Sequence, residues 1–510
     1  MINRRQLMWS GAVAALAAGA GLARAGSQPA AGGGEAAETP FAPEMVVDMA
    51  RRLAQRPFAR AGGDLPEELA GLTYEQYVGV RARPEALLWD GERRGFVIEP
   101  LPRGALFRDR VEIYVVADGR ARRLTFNPAS HDFGGLPPPP PGDAGFSGFR
   151  IFAGLDRPAQ MAIFQGATFY RAIARGQNMG ATARTLTLRP GEMRGEEIPA
   201  FRAFWIEQPP PGADVLTLHA LLDSESLAAA AHFTVRPGDM TIIDVEVTLF
   251  TRAAIDHIGW GGHAATYLFG AAGRRNVDDV RAAVFEVNGL QMRNGRGEWL
   301  WRPVTNPQQL QISAFVDSSP RGFGLLQRER AFAAFQDDSQ RFDRRPSVWV
   351  EPLGDWGEGQ VQLIEIPTES DINDNILAYW RPRAPLAAGA EVNFAYRQYW
   401  CWQIPDPPEL ARVILTRTGR GRSGRRRRFL VEFTGAALAD PGVVAALQPS
   451  LSAANGGVIS EMRLWPYPER RAARVAFELD PGDSQLCELR LALEAAGKPV
   501  SETWLYRWTA

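Results

Sequence analysis

The residues best suited to chemistry lie in a short acidic loop. Two strand-like apolar runs, Val361–Ile366 and Ile376–Trp380, enclose three carboxylates: Glu369, Asp371 and Asp374. Carboxyl groups can donate and accept the proton that must move at a glycosidic oxygen when a sugar chain is cleaved. The flanking runs would hold such a loop on stiff backbone, but a structural polar β-turn would show the same spacing. Spacing alone leaves both interpretations open.

Aromatic side chains flank this loop. Trp356 precedes the first run, and Tyr379 and Trp380 end the second. Aromatic rings can pack against the apolar faces of sugar rings, and they exclude water from a nearby carboxyl group. Exclusion of water would favour the neutral form of Asp374, which is the form that a general acid needs. The alternative that Asp374 only caps a tight turn also stays open.

The elements that must position this loop are predominantly strands. Two short helical patterns, Met45–Ala54 and Leu65–Ala70, come first, and strand patterns begin after Gly95. Short runs of alternating or β-branched apolar residues occur at Phe96–Ile98, Val111–Val116, Met161–Phe164, Leu216–Leu222, Thr241–Leu249 and Val361–Ile366. Glycine and proline separate the runs. The pattern predicts an all-β sandwich over residues 41–402.

A smaller β unit is predicted at the C-terminal end. Residues 403–410 are proline-rich and break the strand pattern, so we predict a linker there. Strand patterns recur at Arg412–Thr416, Phe429–Phe433, Glu461–Trp465, Ala473–Leu479, Leu486–Leu491 and Trp504–Trp508. Residues 411–510 are therefore typical of an immunoglobulin-like module. The arginine-rich segment Arg417–Arg428 would be a solvated hairpin tip, and weak attraction to a membrane surface or an anionic glucan is the alternative.

The N-terminal residues 1–25 have the pattern of an export signal. Arg4 and Arg5 precede an apolar, alanine-rich run from Met8 to Leu22, and Ala23-Arg24-Ala25 offers a cleavage site. The paired arginines favour the twin-arginine route and a periplasmic destination. An uncleaved anchor is the alternative, but the run is shorter than the roughly 20 residues that a membrane-spanning helix needs. Residues 26–40 are rich in Gly and Ala and predict a flexible tether.

Composition and the remaining motifs exclude several functions. The chain has 510 residues and a formal net charge of -1, which argues against nucleic acid as a partner. A disulfide between Cys401 and Cys487 stays open, because sequence does not fix the distance between their Cα atoms. The glycine-rich segment HIGWGGH, with His257 and His263, predicts a flexible cleft loop or, less in keeping with the scattered histidines, a metal site. No phosphate-loop, dinucleotide or nucleophile-elbow motif occurs, so we expect no cofactor and no metal.

Longer motifs carry a family resemblance. They are LTYEQYVGVRARPEALLW (Leu72–Trp89), GFSGFRIF (Gly145–Phe152), FQGATFYRAIARGQNMGATAR (Phe164–Arg184), FRAFWIEQP (Phe201–Pro209), GEWLWRP (Gly297–Pro303), GFGLLQR (Gly322–Arg328), RPSVWVEP (Arg345–Pro352) and SETWLYRW (Ser501–Trp508). With the segment Trp356–Trp380, they resemble the periplasmic glucan biosynthesis proteins G and D, in the same order. The resemblance spans Ala50 to the C-terminus. It implies a large galactose-mutarotase-like β-sandwich followed by a small immunoglobulin-like β-sandwich.

The resemblance also implies the chemistry. Members of this family cleave β-1,2-glucan with inversion, and the Asp of their N-D-N triplet, which is Asp374 here, acts as general acid. Their second carboxylate is an Asp in a block like H-D-S-x-G-L, where this chain has Glu286. A Tyr that helps to relay a proton in related proteins is replaced by Phe342, which has no hydroxyl group. The acid is retained, while the apparatus that activates water is altered.

These departures leave several functions open. The protein could hydrolyse glucan slowly, or transfer the cleaved glucan to a sugar hydroxyl and so cyclise or trim it. The alternative is a non-catalytic glucan-binding scaffold of the synthesis machinery at the inner membrane. The expected partners are β-1,2-glucan and that machinery, and sequence leaves the oligomeric state undetermined.

Aromatic rings stack on sugars and guanidinium groups donate to hydroxyls, so residues of these types in the shared motifs are candidates for binding the glucan. The candidates are Phe169, Tyr170, Arg171, Arg184, Trp299, Trp301, Arg302, Arg345, Trp349, Trp356 and Trp380. Each aromatic ring could equally belong to the core, and we expect roughly half of the set to line one cleft.

Overall fold

The structure is a computed structural model that describes residues 38–60, 65–271, 273, 278–422 and 424–510. The predicted export signal (1–25) and all but the last three residues of the predicted tether (26–40) lie outside the described residues. Twin-arginine export therefore stays a prediction. In the part of the chain that is described, no helix is long and apolar enough to cross a membrane.

Helices are few and short. They are α1 (Glu44–Ala54), α2 (Glu67–Ala70), α3 (Tyr74–Gly79), α4 (Phe332–Phe335) and α5 (Pro441–Ala445). Helix α1 buries Val46 and Ala50 against the neighbouring sheet. Helix α3 begins with a capping box, in which the Thr73 side chain and the Gln76 side chain each accept from the other's backbone N–H. The two predicted helices are confirmed as α1 and α2, with starts that differ by one and two residues.

Strands are the main regular elements of the described residues. Before the predicted linker they are β1 (Thr39–Pro40), β2 (Arg81–Ala82), β3 (Phe96–Pro102), β4 (Glu112–Ala117), β5 (Arg120–Arg123), β6 (His131–Asp132), β7 (Phe146–Ala153), β8 (Ala159–Gln165), β9 (Phe169–Ala172), β10 (Thr182–Arg184), β11 (Thr187–Leu188), β12 (Ala200–Glu207), β13 (Leu216–Asp223), β14 (Leu227–Arg236), β15 (Thr241–Thr251), β16 (Ile258–Ala265), β17 (Tyr267–Phe269), β18 (Val284–Phe285), β19 (Gly289–Arg293), β20 (Trp299–Pro303), β21 (Gln311–Ser318), β22 (Gly322–Leu326), β23 (Ser347–Leu353), β24 (Glu358–Glu365), β25 (Ile376–Pro382) and β26 (Glu391–Cys401). After it they are β27 (Arg412–Arg420), β28 (Arg427–Thr434), β29 (Leu447–Ala453), β30 (Val458–Tyr467), β31 (Ala472–Asp480), β32 (Leu486–Ala495), β33 (Lys498–Pro499) and β34 (Thr503–Thr509).

Two large sheets pack against each other. The first has the order β1-β5-β4-β12-β13-β14-β15-β26-β23-β22-β19-β20-β34-β32-β29, and the second has the order β21-β24-β25-β16-β10-β9-β8-β7-β3. Alternate residues of both sheets meet in one hydrophobic core, which takes Phe233 from the first sheet and Phe149 from the second. Because strand side chains alternate between faces, each sheet gives one face to this core. The all-β prediction is confirmed.

The C-terminal unit is joined to the first sheet. Strands β27, β28, β31 and β30 form a four-stranded sheet, whereas β34 pairs in parallel with β20 and so extends the first sheet. The core between these layers contains Phe429 and Trp504 from the C-terminal unit, and Trp301 and Trp349 from the larger one. Residues 403–410 have no regular structure. The linker and the immunoglobulin-like module stay predictions, and the first sheet contains strands from both sides of residues 403–410.

The cysteines are free thiols. Cys401 and Cys487 are both buried and unpaired. Burial raises the pKa of the Cys401 thiol to about 12, so this thiol stays protonated at neutral pH. The disulfide that the sequence left open does not form in the structure.

The glycine-rich segment HIGWGGH is not the flexible cleft loop that we predicted, because Ile258–His263 belongs to strand β16, in which every residue is buried. A Cβ added at Gly259 would lie 2.4 Å from Cδ2 of Tyr379, and one added at Gly262 would lie 2.5 Å from Oγ1 of Thr187. Glycine therefore allows close packing against β16 rather than a turn.

His263 connects the two large sheets. Its Nδ1–H donates to the Gly261 carbonyl at 2.9 Å, and its Nε2 accepts from the Leu325 backbone N–H at 3.0 Å. An imidazole that donates with one nitrogen and accepts with the other is neutral. Burial lowers the pKa of His263 to about 4, which agrees with this state. Within the described residues, no group of His, Cys, Asp or Glu side chains is arranged to hold a metal ion.

Candidate active site

Asp374 lies in the loop between β24 and β25, and its two asparagine neighbours anchor that loop. The Asn375 side chain is buried; its Oδ1 accepts from the Tyr267 N–H at 2.8 Å, and its Nδ2 donates to the Ile366 carbonyl at 3.0 Å. The Asn373 carbonyl accepts from the Thr266 hydroxyl at 3.0 Å. The N-D-N triplet is thus fixed on both sides of its central aspartate.

Asp371 is already engaged in anchoring the same loop. Its Oδ2 accepts from Nη1 of Arg281 at 2.6 Å, and that guanidinium group also pairs with Asp279 at 2.7 Å and with Asp337 at 3.8 Å. One arginine therefore holds carboxylates from three segments together. Glu369 is exposed. Of the three loop carboxylates, Asp374 is the one that faces the second predicted carboxylate.

Glu286 directly follows β18 and lies beside Thr266. Its backbone N–H donates to the Thr266 carbonyl at 2.9 Å, and its Oε2 accepts from the Thr266 N–H at 3.3 Å. Its Oε1 lies 3.8 Å from Nη1 of Arg345. A Cβ at Gly180 would come within 3.3 Å of Glu286 Oε1 and 2.9 Å of Arg345 Cδ, so the absence of a side chain there leaves room for both groups.

The two carboxyl groups influence each other electrostatically. Burial is the main cause that raises the pKa of Glu286, and the negative charge of Asp374 raises it further. Arg345, Arg171 and the Thr266 N–H act in the opposite direction, because they stabilise the ionised form. Glu286 and Asp374, far apart in sequence, are therefore brought together in one site.

Strand β9 gives this site an exposed cation and an aromatic ring. Alternation along β9 places Phe169 and Arg171 on the outer face of the second sheet, and Tyr170 and Ala172 in the core. Arg171 Nη2 lies 3.9 Å from Asp374 Oδ2, and its Nε donates to Thr182 Oγ1 at 2.8 Å.

Arg184 and Arg345 are also close to this face. On β10, which pairs with β9, the Arg184 guanidinium lies 5.2 Å from the ring centre of Phe169 and forms an ion pair with Glu196. Arg345 lies 5.4 Å above the Phe342 ring, and its Nη2 donates to Gln340 at 3.0 Å. Phe169, Arg171, Arg184 and Arg345 thus remain candidates for contact with a ligand.

The other seven predicted glucan-binding residues lie in the interior. None has more than 8% of its surface exposed: Tyr170, Trp299, Trp301, Arg302, Trp349, Trp356 and Trp380. A ring or guanidinium group buried to this extent has no free face for a sugar. The prediction that these seven residues bind glucan is therefore corrected, and the proposed site does not include them.

Each of these seven has an evident structural role. Trp299, Trp301 and Trp349 pack in the core shared with the C-terminal unit. The Arg302 Nη2 pairs with the buried Glu365 carboxylate at 3.1 Å.

The other three of the seven lie in the core between the large sheets: Tyr170, Trp356 and Trp380. Trp380 is fully buried in this core and lies on β25, whereas Asp374 precedes that strand.

Sequence reasoning missed the residues that hold the carboxylates. Gly180 lies in the shared motif Phe164–Arg184, but only the structure reveals that its missing side chain leaves room for Glu286 and Arg345. No sequence motif marks Thr266, because its importance depends on contacts among three segments that are distant in sequence. Two cavities, of about 330 and 170 Å³, border the N-terminal segment, and neither is lined by Glu286 or Asp374.

Known proteins are similar to most of the chain. Glucans biosynthesis protein G of Rhodopseudomonas palustris (strain BisA53) is 44% identical over 473 residues, which cover 92% of this chain and 93% of that protein. Glucans biosynthesis protein G of Bradyrhizobium diazoefficiens is 42% identical over 515 residues, which cover 100% of both chains. The namesake from Shewanella frigidimarina is 42% identical over 482 residues, which cover 92% of this chain and 85% of that protein.

A solved structure of a galactose mutarotase related enzyme from Lactobacillus acidophilus matches 46% of this chain and 95% of its own. The TM-score is 0.21 and the identity is 8%, a likeness too weak to carry an argument about function. The family profile described as "Periplasmic glucan biosynthesis protein, MdoG" matches residues 41–508. With these relatives and this profile, the chain belongs to the periplasmic glucan biosynthesis protein family.

Proposed function

We propose that this protein cleaves β-1,2-linked glucan backbones in the periplasm by inverting glycosidase-type chemistry, with Asp374 as general acid and Glu286 as second carboxylate. The main support is that Thr266 binds both Glu286 and the carbonyl of Asn373, the residue before Asp374, and so joins two segments that are distant in sequence. An inverting glycosidase requires such a pair, because one group protonates the leaving oxygen while the other activates the attacking hydroxyl or water. Family membership supports glucan as the substrate class.

The different surroundings of the two groups support different roles. The pKa of Glu286 is raised by burial, and a general base works best when its pKa approaches the working pH. The Asp374 side chain keeps 21% of its surface exposed, so a glycosidic oxygen can reach it. In the proposed step, the Asp374 proton passes to the leaving oxygen as the bond to the anomeric carbon breaks. Glu286 takes the proton of the attacking hydroxyl group or water, whose oxygen forms the new bond to the anomeric carbon.

The acceptor in this step is water or a sugar hydroxyl. Glu286 is held by Thr266 and Arg345, and the neighbouring Phe342 is buried and has no hydroxyl to pass on a proton. The site therefore keeps the group that donates the proton but lacks a hydroxyl group that could help to activate water. A hydroxyl group of a bound glucan is already held next to the bond that is cleaved, so it attacks the anomeric carbon more readily than free water does. The product is then a transferred or cyclised glucan.

Mass spectrometry of the products tests both parts of the proposal. Purified protein is incubated with linear β-1,2-glucan, and product masses are compared with those of open chains. Transfer within one chain gives masses lower by one water, whereas hydrolysis gives open chains only. Open chains alone, with none longer than the substrate, would contradict transglycosylation and leave cleavage intact. The absence of any product would contradict the enzymatic function.

The second candidate is a non-catalytic glucan-binding scaffold of the synthesis machinery at the inner membrane. Phe342 in place of a relay hydroxyl favours it, because a scaffold does not need to activate water. Asp374→Asn separates the two candidates in cells. A scaffold carrying this change keeps both glucan binding and its cellular role, whereas an enzyme keeps binding and loses product formation.

We propose the twin-arginine route for export to the periplasm, on the strength of Arg4 and Arg5 ahead of the apolar run. Replacement of both arginines by lysine should leave the precursor in the cytoplasm. Cell fractionation with an antibody to the protein measures this, and normal export of the double variant would contradict the proposed route.

A further inference from the structure

Thr266 is the single residue between β16 and β17. All of its polar atoms form hydrogen bonds with the two segments that carry the carboxylates. Its N–H and carbonyl contact Glu286, and its hydroxyl donates to the Asn373 carbonyl. The next residue, Tyr267, donates its N–H to Asn375. Only 3% of Thr266 is exposed, so water cannot replace these bonds readily.

We infer that Thr266 is a positioning residue whose hydroxyl sets the separation between Asp374 and Glu286. The inference rests on the proposed function and adds a residue to it. Asn373 immediately precedes Asp374, so a bond to its carbonyl acts one residue from the acid. Glu286 is held by the backbone of the same threonine, so the hydroxyl is the link that fixes one carboxyl group relative to the other.

The anchors on either side explain why this link is local. Asn375 remains bonded to Tyr267 and Ile366 when the hydroxyl is removed, so the start of β25 stays in place. Asp371 remains paired with Arg281. Only the short stretch between these anchors, which carries Asp374, gains freedom. A misplacement of about 1 Å at a reacting group costs about 100-fold in rate.

The pH dependence gives a readout that a purely structural role would not change. The groups that face Glu286 are Asp374, Arg345 and Arg171, and the negative charge of Asp374 raises the pKa of Glu286. In the active form Glu286 is ionised and Asp374 holds its proton, so the two negative charges repel each other only when the pair loses its second proton. If the loop moves away from Glu286, this repulsion weakens, and the basic limb of the activity profile shifts to lower pH.

The test compares Thr266→Val with Thr266→Ser in the full-length protein. Valine keeps the shape and removes the hydroxyl, whereas serine keeps the hydroxyl. Thr187→Val is a matched control, because Thr187 lies on the strand paired with β16 and its buried hydroxyl has no hydrogen-bond partner. We expect Thr266→Val to lower kcat about 100-fold with little change in KM, and to shift the basic limb to lower pH. The serine variant and the control should behave like the wild type.

Three results would overturn the inference. They are a wild-type kcat and pH profile in Thr266→Val, a serine variant as impaired as the valine one, and a control that loses as much activity. If thermal unfolding shows that Thr266→Val does not fold, Thr266→Ala compared with Thr266→Ser decides the question in the same way. A wild-type protein without turnover on glucan removes the proposed function together with the inference, whereas normal turnover with an unaffected Thr266→Val removes the inference alone.

Discussion

Shortening Glu286 to aspartate tests whether the site is built around the longer side chain. Glu286 Oε2 lies 3.3 Å from the Thr266 nitrogen, and Oε1 lies 3.8 Å from Nη1 of Arg345. Gly180 leaves the space that the side chain occupies. We therefore expect Glu286→Asp to lose activity, although aspartate is the residue that related proteins are expected to carry.

The size of the effect follows from these distances. Loss of one methylene withdraws the carboxylate by about 1.5 Å, to about 5 Å from both partners, which is beyond hydrogen-bond range. A misplacement of this size costs about 100-fold in rate, equivalent to about 2.7 kcal/mol in the activation barrier. Glu286→Gln keeps the length and removes the charge, so it should lose at least as much if Glu286 acts as a base.

The assay measures kcat on linear β-1,2-glucan from product masses, with unfolding curves to confirm the fold. Glu369→Asp is a matched control, because it shortens an exposed carboxylate of the loop that carries Asp374. An aspartate variant as fast as the wild type, or faster, would refute the reasoning that Thr266 and Gly180 shape the site around glutamate.

Three further predictions follow from the same contacts. Asp374→Asn should lower kcat about 1000-fold with glucan binding retained, measured by calorimetry, and unchanged turnover would exclude it as the acid. Gly180→Ala should lower kcat about tenfold by displacing Arg345 and Glu286, whereas Gly79→Ala, in open space, should have no effect; equal effects would contradict this. His263 binds no proton in the fold until about pH 4, whereas the unfolded chain binds one near pH 6.5, so stability should fall by about 3 kcal/mol between these pH values. Urea unfolding of wild type and His263→Gln at pH 7 and pH 4.5 measures this, and an identical pH dependence in both would contradict it.

The backbone pattern was largely predictable, because strand periodicity is local. The acidic loop lies between β24 and β25 as the two apolar runs predicted. Strand β29 was missed because Pro449 is atypical of a strand interior, although exposure alternates regularly along it. Glycines in β16 were read as loop signals, although here they admit the Tyr379 ring and Thr187.

Whether the tryptophan side chains are buried or exposed was not predictable in this way. Periodicity places Trp299 and Trp301 on one side of β20, but it does not say what covers that side. The cover comes from the C-terminal unit, through β34, about 200 residues later in the chain. A tryptophan in a shared motif is therefore ambiguous between sugar platform and core until the partner of its strand is known.

Strand β16 explains how a site at the end of a sheet can be rigid. All of its residues are buried, and His263 ties it to β22 of the opposite sheet through the Leu325 N–H. Thr266 lies three residues after His263, so the same contacts hold its backbone in place. From this position it forms hydrogen bonds with both carboxylate segments. The outer face of β9 and β10, in contrast, keeps Arg171 half-exposed for a ligand. The carboxyl groups are thus held by the core, while the surface that would bind the glucan is left to side chains free to adjust to it.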